Sequence, residues 1–163
     1  MRSRVTWLCI AELALVFLLT RFCMLPGVYI PTASMEPTIA AGSMVMVSRG
    51  IFMEPLSRGS IVVFRRDGTW YCKRIIGLPG ETVEVRGGVT LIDGEVLAEP
   101  YAEADLSDYG PYKVPDGNYF LMGDNRDESW DSREWETPTV SRAELTGRVF
   151  VVWYQDGFCW KWI

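Results

Sequence analysis

The sequence predicts a mainly β protein, an antiparallel sandwich or barrel that follows one N-terminal apolar helix. Three observations predict this class. From residue 28 onward, short runs rich in Val, Ile and aromatic residues alternate with turn dipeptides such as Asp93-Gly94. A long apolar stretch, Val5–Leu19, precedes these runs. Apolar residues make up 48% of the 163 residues, which is enough for a packed core.

Residues 1–27 are predicted to form a short cytoplasmic stub and a transmembrane anchor. The fifteen residues of this stretch, interrupted by Thr6 and Glu12, are fewer than the ~20 that cross a bilayer, but the run reaches that length at Leu25 if it includes Arg21. Glu12 lies within the run, and the sequence offers no partner for it. Pro26-Gly27 is expected to end the helix.

Two other interpretations of this segment lose to the anchor, and one stays open. A cleaved signal peptide needs a small-x-small site after the apolar run, and residues 20–26 contain none. A lipoprotein site would need small residues before Cys23. A buried core helix of a soluble protein stays open. For an anchor, Arg2 and Arg4 predict a cytoplasmic N-terminus and an extracytoplasmic domain, residues 28–163.

The body of the chain is predicted to consist of strands joined by short turns. One short helix is expected near Arg142–Leu145, because Ser141 and Glu144 have the spacing of a capping box. Glu99–Tyr112 is expected to be a surface loop. The aromatic segment 153–163 fits either a membrane interface or a hairpin packed on the body. The predicted strands are Ser43–Ser48, Ser60–Arg66, Thr69–Ile76, Glu81–Arg86, Val89–Ile92, Tyr119–Met122 and Gly147–Tyr154.

Composition excludes several classes of site. The chain has no histidine, which excludes Ser-His-Asp and Cys-His catalysis and any histidine-ligated zinc. The formal net charge of −5 offers no basic face for nucleic acid. Four cysteines without a C-x-x-C spacing argue against a zinc knuckle, so we expect no metal and no cofactor. A disulfide between distant cysteines, such as Cys23 and Cys159, is left open, as is any pairing of Cys72.

Lys73 is the first candidate for chemistry. It lies in a predicted strand, where alternation places it on the same face as Tyr71 and Ile75. Burial on an apolar face lowers the pKa of an ammonium, which would make Lys73 a usable base. The alternative is a lysine that extends from a sheet edge into water.

Ser34 is the second candidate. It lies in the segment Ile30–Thr38, where Pro31 and Pro37 restrict the backbone. A hydroxyl held there is a nucleophile if a base reaches it, and otherwise an ordinary turn serine. A third candidate region, residues 122–133, is a polar loop in which Asp131 and Arg133 could form an ion pair. The alternative there is a solvated loop.

In combination these segments resemble the ordered boxes of type I signal peptidases, the membrane-bound Ser-Lys proteases. The resemblance covers roughly residues 28–152, and Arg58–Phe64 is similar to the family's intervening strand box. The chain is shorter than the larger bacterial members, with one anchor instead of two. The boxes are Ser34-Met-x-Pro-Thr38, Lys73-Arg-x-x-Gly-x-Pro-Gly80 and Gly123-Asp-Asn-x-x-x-Ser129-x-Asp-Ser-Arg133.

The resemblance implies a role for each matching residue. Ser34 would be the nucleophile and Lys73 its neutral general base, and Ser129 would orient the lysine. The Ser34 backbone N–H and the Thr32 hydroxyl would form the oxyanion hole. Structural support of the site would come from Gly123, Asp124, Asp131 and Arg133.

The resemblance also implies the substrate and the partners. We expect a serine endopeptidase that removes N-terminal signal peptides from exported preproteins after small-x-small (Ala-x-Ala) sites. It would act at the outer face of the cytoplasmic membrane as a single-pass protein, in contact with lipid and with secretion or conjugation machinery. The expected substrate-binding residues, some of them beside the substrate as a strand, are Tyr29, Ile30, Pro31, Ala33 and Met35.

Three alternatives accompany this expectation. The same chemistry would serve a conjugation-system peptidase dedicated to one pilin-like precursor. Self-cleaving LexA-like repressors also use a Ser-Lys pair, but they carry a DNA-binding helix-turn-helix where this chain has an apolar run. A membrane-anchored β domain that binds peptides without cleaving them would leave Ser34 and Lys73 far apart.

Overall fold

The computed structural model describes residues 10, 12–13, 24–48, 56–103, 105–154 and 160–162. The described strands form two antiparallel sheets, so the predicted mainly β class is confirmed. Their bounds are β1 Met24–Tyr29, β2 Met44–Ser48, β3 Ile61–Arg66, β4 Thr69–Gly77, β5 Thr82–Arg86, β6 Val89–Ile92, β7 Glu95–Val96, β8 Tyr109–Lys113, β9 Asn118–Met122, β10 Val140–Ser141, β11 Leu145–Trp153 and β12 Trp160–Trp162.

The larger sheet has the order β1-β2-β11-β3-β4-β9-β10, with β12 beside β11. The smaller sheet has the order β7-β6-β5-β8. It is inserted between β4 and β9, two neighbours in the larger sheet. The polar segment that follows β9 therefore emerges beside β4, the strand that carries Lys73.

The seven predicted strands match β2, β3, β4, β5, β6, β9 and β11 to within two residues at each end. Turn chemistry explains much of this agreement. Asp67 and Asp93 have positive φ angles of 49° and 51°, and the glycine after each is also positive, at 80° and 86°. Two successive positive φ angles are the geometry of the two-residue hairpin turn that an Asp-Gly pair favours.

Three apolar clusters form the core. The first joins β2, β3 and β11 to the segment after β1, through the fully buried Met35 and Ile39. The second lies around β3, β4 and β9 and includes Trp135. The third joins the two sheets, because Phe120 and Met122 of β9 pack against Val83 of β5. Both sheets thus contribute to the rigid support of β4 and β9.

The helix predicted near Arg142–Leu145 is wrong. Residues 142–144 form a turn between β10 and β11. Half of the capping-box contact exists, since the Ser141 N–H and hydroxyl both donate to the Glu144 carboxylate, at 2.7 and 2.6 Å. Pairing of β10 with β9 and of β11 with β3 leaves only three residues between strands, which is too few for a helix.

The surface loop predicted over Glu99–Tyr112 is wrong at its C-terminal end. Tyr109–Lys113 is strand β8, which pairs with β5. Tyr109 and Tyr112 face the ring of Phe120, with ring centroids 5.3 and 6.1 Å from it. The aromatic side chains hold this strand against the core even though it contains a glycine and a proline.

The end of the predicted anchor also differs from expectation. Met24 and Leu25 lie in β1, paired with Ser48 and Val47, and do not continue a helix. In the part of the chain that the structure describes, no helix has both the length and the apolarity to cross a membrane. Residues 10 and 12–13 of the predicted anchor are described and are helical, whereas residues 1–9, 11 and 14–23 lie outside the described residues, as does Cys159. Cys72 is a buried free thiol.

Candidate active site

The Ser34 segment folds tightly over the larger sheet. Its turns are closed by backbone hydrogen bonds from Glu36 N to Ala33 O (2.9 Å) and from Ile39 N to Met35 O (2.8 Å). Met35 is fully buried directly beside Ser34, which is itself only 6% exposed. The neighbouring core residue therefore fixes the position of the hydroxyl-bearing residue.

Gly123, at the end of β9, brings two of the predicted site residues together. A Cβ atom at this position would clash with the Ser34 carbonyl oxygen and with the Ser129 hydroxyl. Its N–H lies 3.1 Å from Ser129 Oγ and 3.0 Å from Asp131 Oδ2. Only glycine fits between these groups, which is a structural reason for glycine at this position.

Lys73 lies in the middle of β4, opposite Val62 of β3. Tyr71 and Ile75, two residues away on either side, belong to the second core cluster, as strand alternation predicts. Lys73 is 3% exposed, and its ammonium makes no hydrogen bond or ion pair with any described residue. The burial expected from the sequence is confirmed, and the alternative of a lysine extending into water is wrong.

The pKa of Lys73 is lowered from 10.5 to about 8, chiefly because burial removes water from the ammonium. The Asp131 carboxylate opposes this shift, and the Arg133 guanidinium reinforces it. A large part of this lysine is therefore neutral in mildly alkaline solution. Burial raises the pKa of the adjacent Cys72 thiol to about 12, so that thiol stays protonated and is a poor nucleophile.

Ser34 and Lys73 line the same cavity, of about 370 Å³, which we call the Ser34 cavity. Thr32 also lines it, with its hydroxyl oxygen 3.3 Å from Ser34 Oγ. Two backbone segments, Val28–Pro31 and Thr69–Cys72, form its walls, and Glu128 and Trp130 complete it. This cavity brings together the nucleophile, base and oxyanion-hole hydroxyl that the sequence predicts.

The remaining predicted residues divide between this cavity and the packing around it. Tyr29, Ile30 and Pro31 line the cavity, as expected of substrate-binding residues. Ala33 does not, and Met35 lies in the first core cluster. The turn of the Ser34 segment places Met35 in the core, and the substrate-binding role expected for it stays a prediction.

Ser129 is 6% exposed and lies beside Ser34, joined to it through Gly123. Its oxygen accepts the Gly123 N–H, which leaves the Ser129 hydroxyl proton free to be donated elsewhere. No hydrogen bond between Ser129 and Lys73 occurs among the described residues. The orienting role expected for Ser129 stays a prediction.

The predicted ion pair of Asp131 and Arg133 is present and buried. Arg133 donates from Nε and from a terminal nitrogen to the two Asp131 oxygens, both at 3.0 Å. It also donates to Asp105 Oδ2 at 2.5 Å. Sequence reasoning missed Asp105, because a carboxylate in an acidic stretch carries no sign of a partner 28 positions away.

A second buried ion pair lies on the other face of β4. Arg74 donates to both Asp124 oxygens, at 2.7 and 2.5 Å, and to the Gly59 carbonyl at 2.8 Å. Its guanidinium also lies 3.8 Å from the centre of the Tyr101 ring. The support expected from Asp124 is therefore an ion pair with Arg74, a residue that the sequence analysis included in a motif without a role.

The described residues contain no group of three or more Cys, Asp or Glu placed to hold a metal ion. The cavity is lined by hydroxyls, the Cys72 thiol, two indoles, Glu128 and one buried lysine, and a hydroxyl in the same cavity as a buried lysine suits proton transfer and nucleophilic attack.

The chain is similar to known proteins over most of its length. A family model described as "Signal peptidase, peptidase S26" matches residues 2–154. A probable signal peptidase I-2 of Synechocystis sp. is 40% identical over 76% of this chain and 60% of its own length. Signal peptidase I of Bacillus amyloliquefaciens and signal peptidase I S of Bacillus subtilis are 38% and 39% identical over 76% of this chain, and over 73% and 74% of their own lengths.

A solved structure gives the same result for the fold. The crystal structure of a signal peptidase I from Enterococcus faecalis V583 matches with a TM-score of 0.51 and 34% sequence identity. The match covers 58% of this chain and 97% of the other. The likeness therefore extends from the motifs to the arrangement of the strands.

Proposed function

The chain belongs to the signal peptidase family, peptidase S26, and from this premise we propose that Ser34 and Lys73 form the catalytic dyad of a serine endopeptidase. The observation that carries the proposal is the Ser34 cavity. One apolar cavity holds a serine hydroxyl and a buried lysine that has no partner among the described residues and whose pKa is lowered to about 8. A buried cation without a partner is costly to a fold, and functional sites are where such groups are retained.

In the proposed reaction the neutral Lys73 amine takes the proton of Ser34 Oγ as that oxygen attacks the scissile carbonyl carbon. The tetrahedral oxyanion accepts hydrogen bonds from the Ser34 N–H and the Thr32 hydroxyl. The Ser34 N–H has no acceptor among the described residues, so it is available for this role. Lys73 then returns the proton to the leaving amine, and water hydrolyses the acyl-enzyme.

The walls of the Ser34 cavity fit an extended peptide. β1 is at the edge of the larger sheet, and β9 pairs with β4 only from Arg74 onward. Thr69–Lys73 therefore has an open edge on the side away from β3. A substrate strand could pair with either segment, and the small side chains proposed at the first and third positions before the cut follow from the resemblance to signal peptidases.

Preproteins with signal peptides are the proposed substrates, processed at the outer face of the cytoplasmic membrane by a single-pass enzyme with a cytoplasmic N-terminus. An exposed apolar row supports contact with lipid. Tyr29, Met44 and Trp153 pair across β1, β2 and β11, and their side chains are 53%, 39% and 51% exposed. Tyr29 also lines the Ser34 cavity, so this row places the cavity next to an apolar surface.

The test is cleavage of a panel of unrelated preproteins by the purified full chain, read out by the N-terminal sequence of each product. We expect cleavage after Ala-x-Ala sites in most of them and none with Ser34→Ala. Ser57→Ala, which removes an exposed hydroxyl outside the cavity, should keep the wild-type rate. Cleavage of only one pilin-like precursor would indicate a dedicated peptidase. Cleavage by Ser34→Ala, or none by the wild type, would overturn the proposal.

A further inference from the structure

Trp130 lies where three cavities meet. It lines the Ser34 cavity, and it also lines two neighbouring cavities of about 540 and 500 Å³. We call the larger one the Arg66 cavity and the other the Arg133 cavity. The Arg66 cavity is lined by Arg66, Asp67, Tyr71, Asn118, Trp130, Trp135, Glu136, Thr137, Thr139 and Glu144. The Arg133 cavity is lined by Asp105, Ser107, Arg126, Asp127, Glu128, Ser129, Trp130, Arg133 and Glu134.

Each flanking cavity shares only two lining residues with the Ser34 cavity. The Ser34 and Arg66 cavities share Tyr71 and Trp130, and the Ser34 and Arg133 cavities share Glu128 and Trp130. Trp130 is thus the residue common to all three. Its side chain is 57% exposed, as expected of an indole with open space on several sides.

The backbone on both sides of Trp130 is fixed. Ser129 and Asp131 are buried, and both accept the same Gly123 N–H. Further along, the Ser132 N–H donates to the Leu121 carbonyl and the Leu121 N–H to the Ser132 hydroxyl, at 3.0 and 2.8 Å. The indole therefore projects from a rigid segment even though its own surface is largely open.

We propose that Trp130 is a specificity-determining residue that separates the Ser34 cavity from the two flanking cavities. In this role it limits the size of the substrate side chain that fits beside the scissile bond. The inference rests on the proposed function, because it concerns the substrate of the same cavity. Replacement by alanine would join the three spaces and admit side chains larger than that of alanine.

The charges of the flanking cavities add a second expectation. The Arg66 cavity contains three carboxylates and one guanidinium group, and the Arg133 cavity contains four carboxylates and two guanidinium groups. Both are therefore acidic. Once Trp130 is removed, a lysine side chain should enter these spaces more readily than a glutamate side chain of similar length.

Trp70 provides a matched control. Its indole is 48% exposed and lines the Ser34 cavity, but it lines neither flanking cavity. Trp70→Ala therefore removes the same side chain from the same cavity without joining that cavity to others. A general effect of loosening the cavity would appear in both variants, and a separating role only in Trp130→Ala.

The experiment measures kcat/KM for peptides that place Ala, Leu, Lys or Glu at the first or the third position before the cut. For Trp130→Ala we expect the ratio of Leu or Lys to Ala to rise about tenfold or more at one of these positions, with Lys gaining more than Glu. Trp130→Phe should keep the wild-type ratios. For Trp70→Ala we expect these ratios to change by less than about twofold, whatever its effect on the overall rate.

Three results would overturn the inference. They are unchanged ratios in Trp130→Ala at both positions, equal rises in both tryptophan variants, and a gain for Glu that matches the gain for Lys. The activity of the wild-type chain distinguishes a wrong role for Trp130 from a wrong proposed function. If the wild type cleaves the Ala-x-Ala peptide and Trp130→Ala keeps its selectivity, only the role of Trp130 is refuted. If the wild type cleaves no peptide, both proposals fall.

Discussion

The two faces of strand β4 each carry a buried cation, but only one of these cations is paired with described residues. Lys73 and Arg74 are neighbours in the sequence and are 3% and 8% exposed. Arg74 is held by the Asp124 carboxylate, the Gly59 carbonyl and the face of Tyr101. The Lys73 ammonium makes no such contact with the described residues, and its pKa is lowered to about 8.

The difference shows which cation supports the fold and which is available for chemistry. A fully paired guanidinium stays charged and fixes the segments that it joins. An unpaired ammonium in the same strand loses its proton far more readily than a lysine in water, at the expense of stability. The strand thus carries a structural cation on one face and a candidate base on the other.

The largest expected effect is on activity when Lys73 is changed. Lys73→Ala removes the base, so we expect kcat/KM to fall about 10³- to 10⁴-fold with the circular dichroism spectrum and unfolding cooperativity unchanged. Lys73→Arg should be as inactive, because a guanidinium keeps its proton. Substantial activity in a folded Lys73→Ala protein would mean that another group takes the Ser34 proton.

Arg74 should show the reverse pattern, with its main effect on stability. Arg74→Met leaves the buried Asp124 carboxylate unpaired, so we expect the free energy of unfolding to fall by about 3–5 kcal/mol in chemical denaturation. Adding Asp124→Leu should restore part of that loss, because no charge is then left without a partner. A loss below about 1 kcal/mol in the single variant would remove the structural role assigned to this face.

Substitutions of Thr32 test whether its hydroxyl acts as an oxyanion donor in the Ser34 cavity. Thr32→Val keeps the side-chain shape and removes one oxyanion donor, so kcat should fall about 10²-fold with little change in KM. Thr32→Ser, which keeps the hydroxyl, should stay close to the wild type. Equal losses in both variants would contradict a specific role of the Thr32 hydroxyl, because Thr32→Ser keeps that group.

The smallest effect concerns the stability penalty of Lys73 itself. The pKa of Lys73 in the folded state lies below its ordinary value, so the unfolded chain binds the proton more tightly. The resulting loss of stability is complete below about pH 8 and declines to zero as the pH rises to 10.5. A shift from 10.5 to about 8 corresponds to a penalty of up to about 3 kcal/mol at neutral pH.

Lys73→Met keeps the side-chain length without the charge, so it should stabilise the protein at pH 7 by up to that amount. The gain should decline as the pH rises from 8 to 10.5, which denaturation at pH 7 and pH 10 would measure. A gain of the same size at both pH values would assign the effect to packing and not to charge.

The sequence predicts those features that local chemistry determines. Alternation along β4 predicts that Tyr71 and Lys73 share a face, and Asp-Gly pairs predict two hairpin turns. The capping-box spacing of Ser141 and Glu144 predicts a helix that does not form, because pairing of the flanking strands overrides a capping preference.

Other features depend on residues that only folding brings together. Arg74 and Asp124 lie 50 positions apart, and Arg133 and Asp105 lie 28 apart. Trp130 has no chemical signature of its own in the sequence, and its significance comes from the three cavities around it. The resemblance supplies Ser34, Lys73 and Ser129, whereas the packing around them, such as the buried Met35 beside Ser34, is apparent only in three dimensions.

The most direct test of the account is the pH dependence of kcat/KM for one Ala-x-Ala peptide. The profile reports the pKa of the base in the free enzyme. With a pKa of about 8, roughly one-tenth of Lys73 is neutral at pH 7, so kcat/KM should rise with pH and level off above pH 9. The chain contains no histidine that could produce this rise. A profile that is flat from pH 7 to 9, or whose midpoint lies below pH 7, would contradict the assignment of Lys73 as the base.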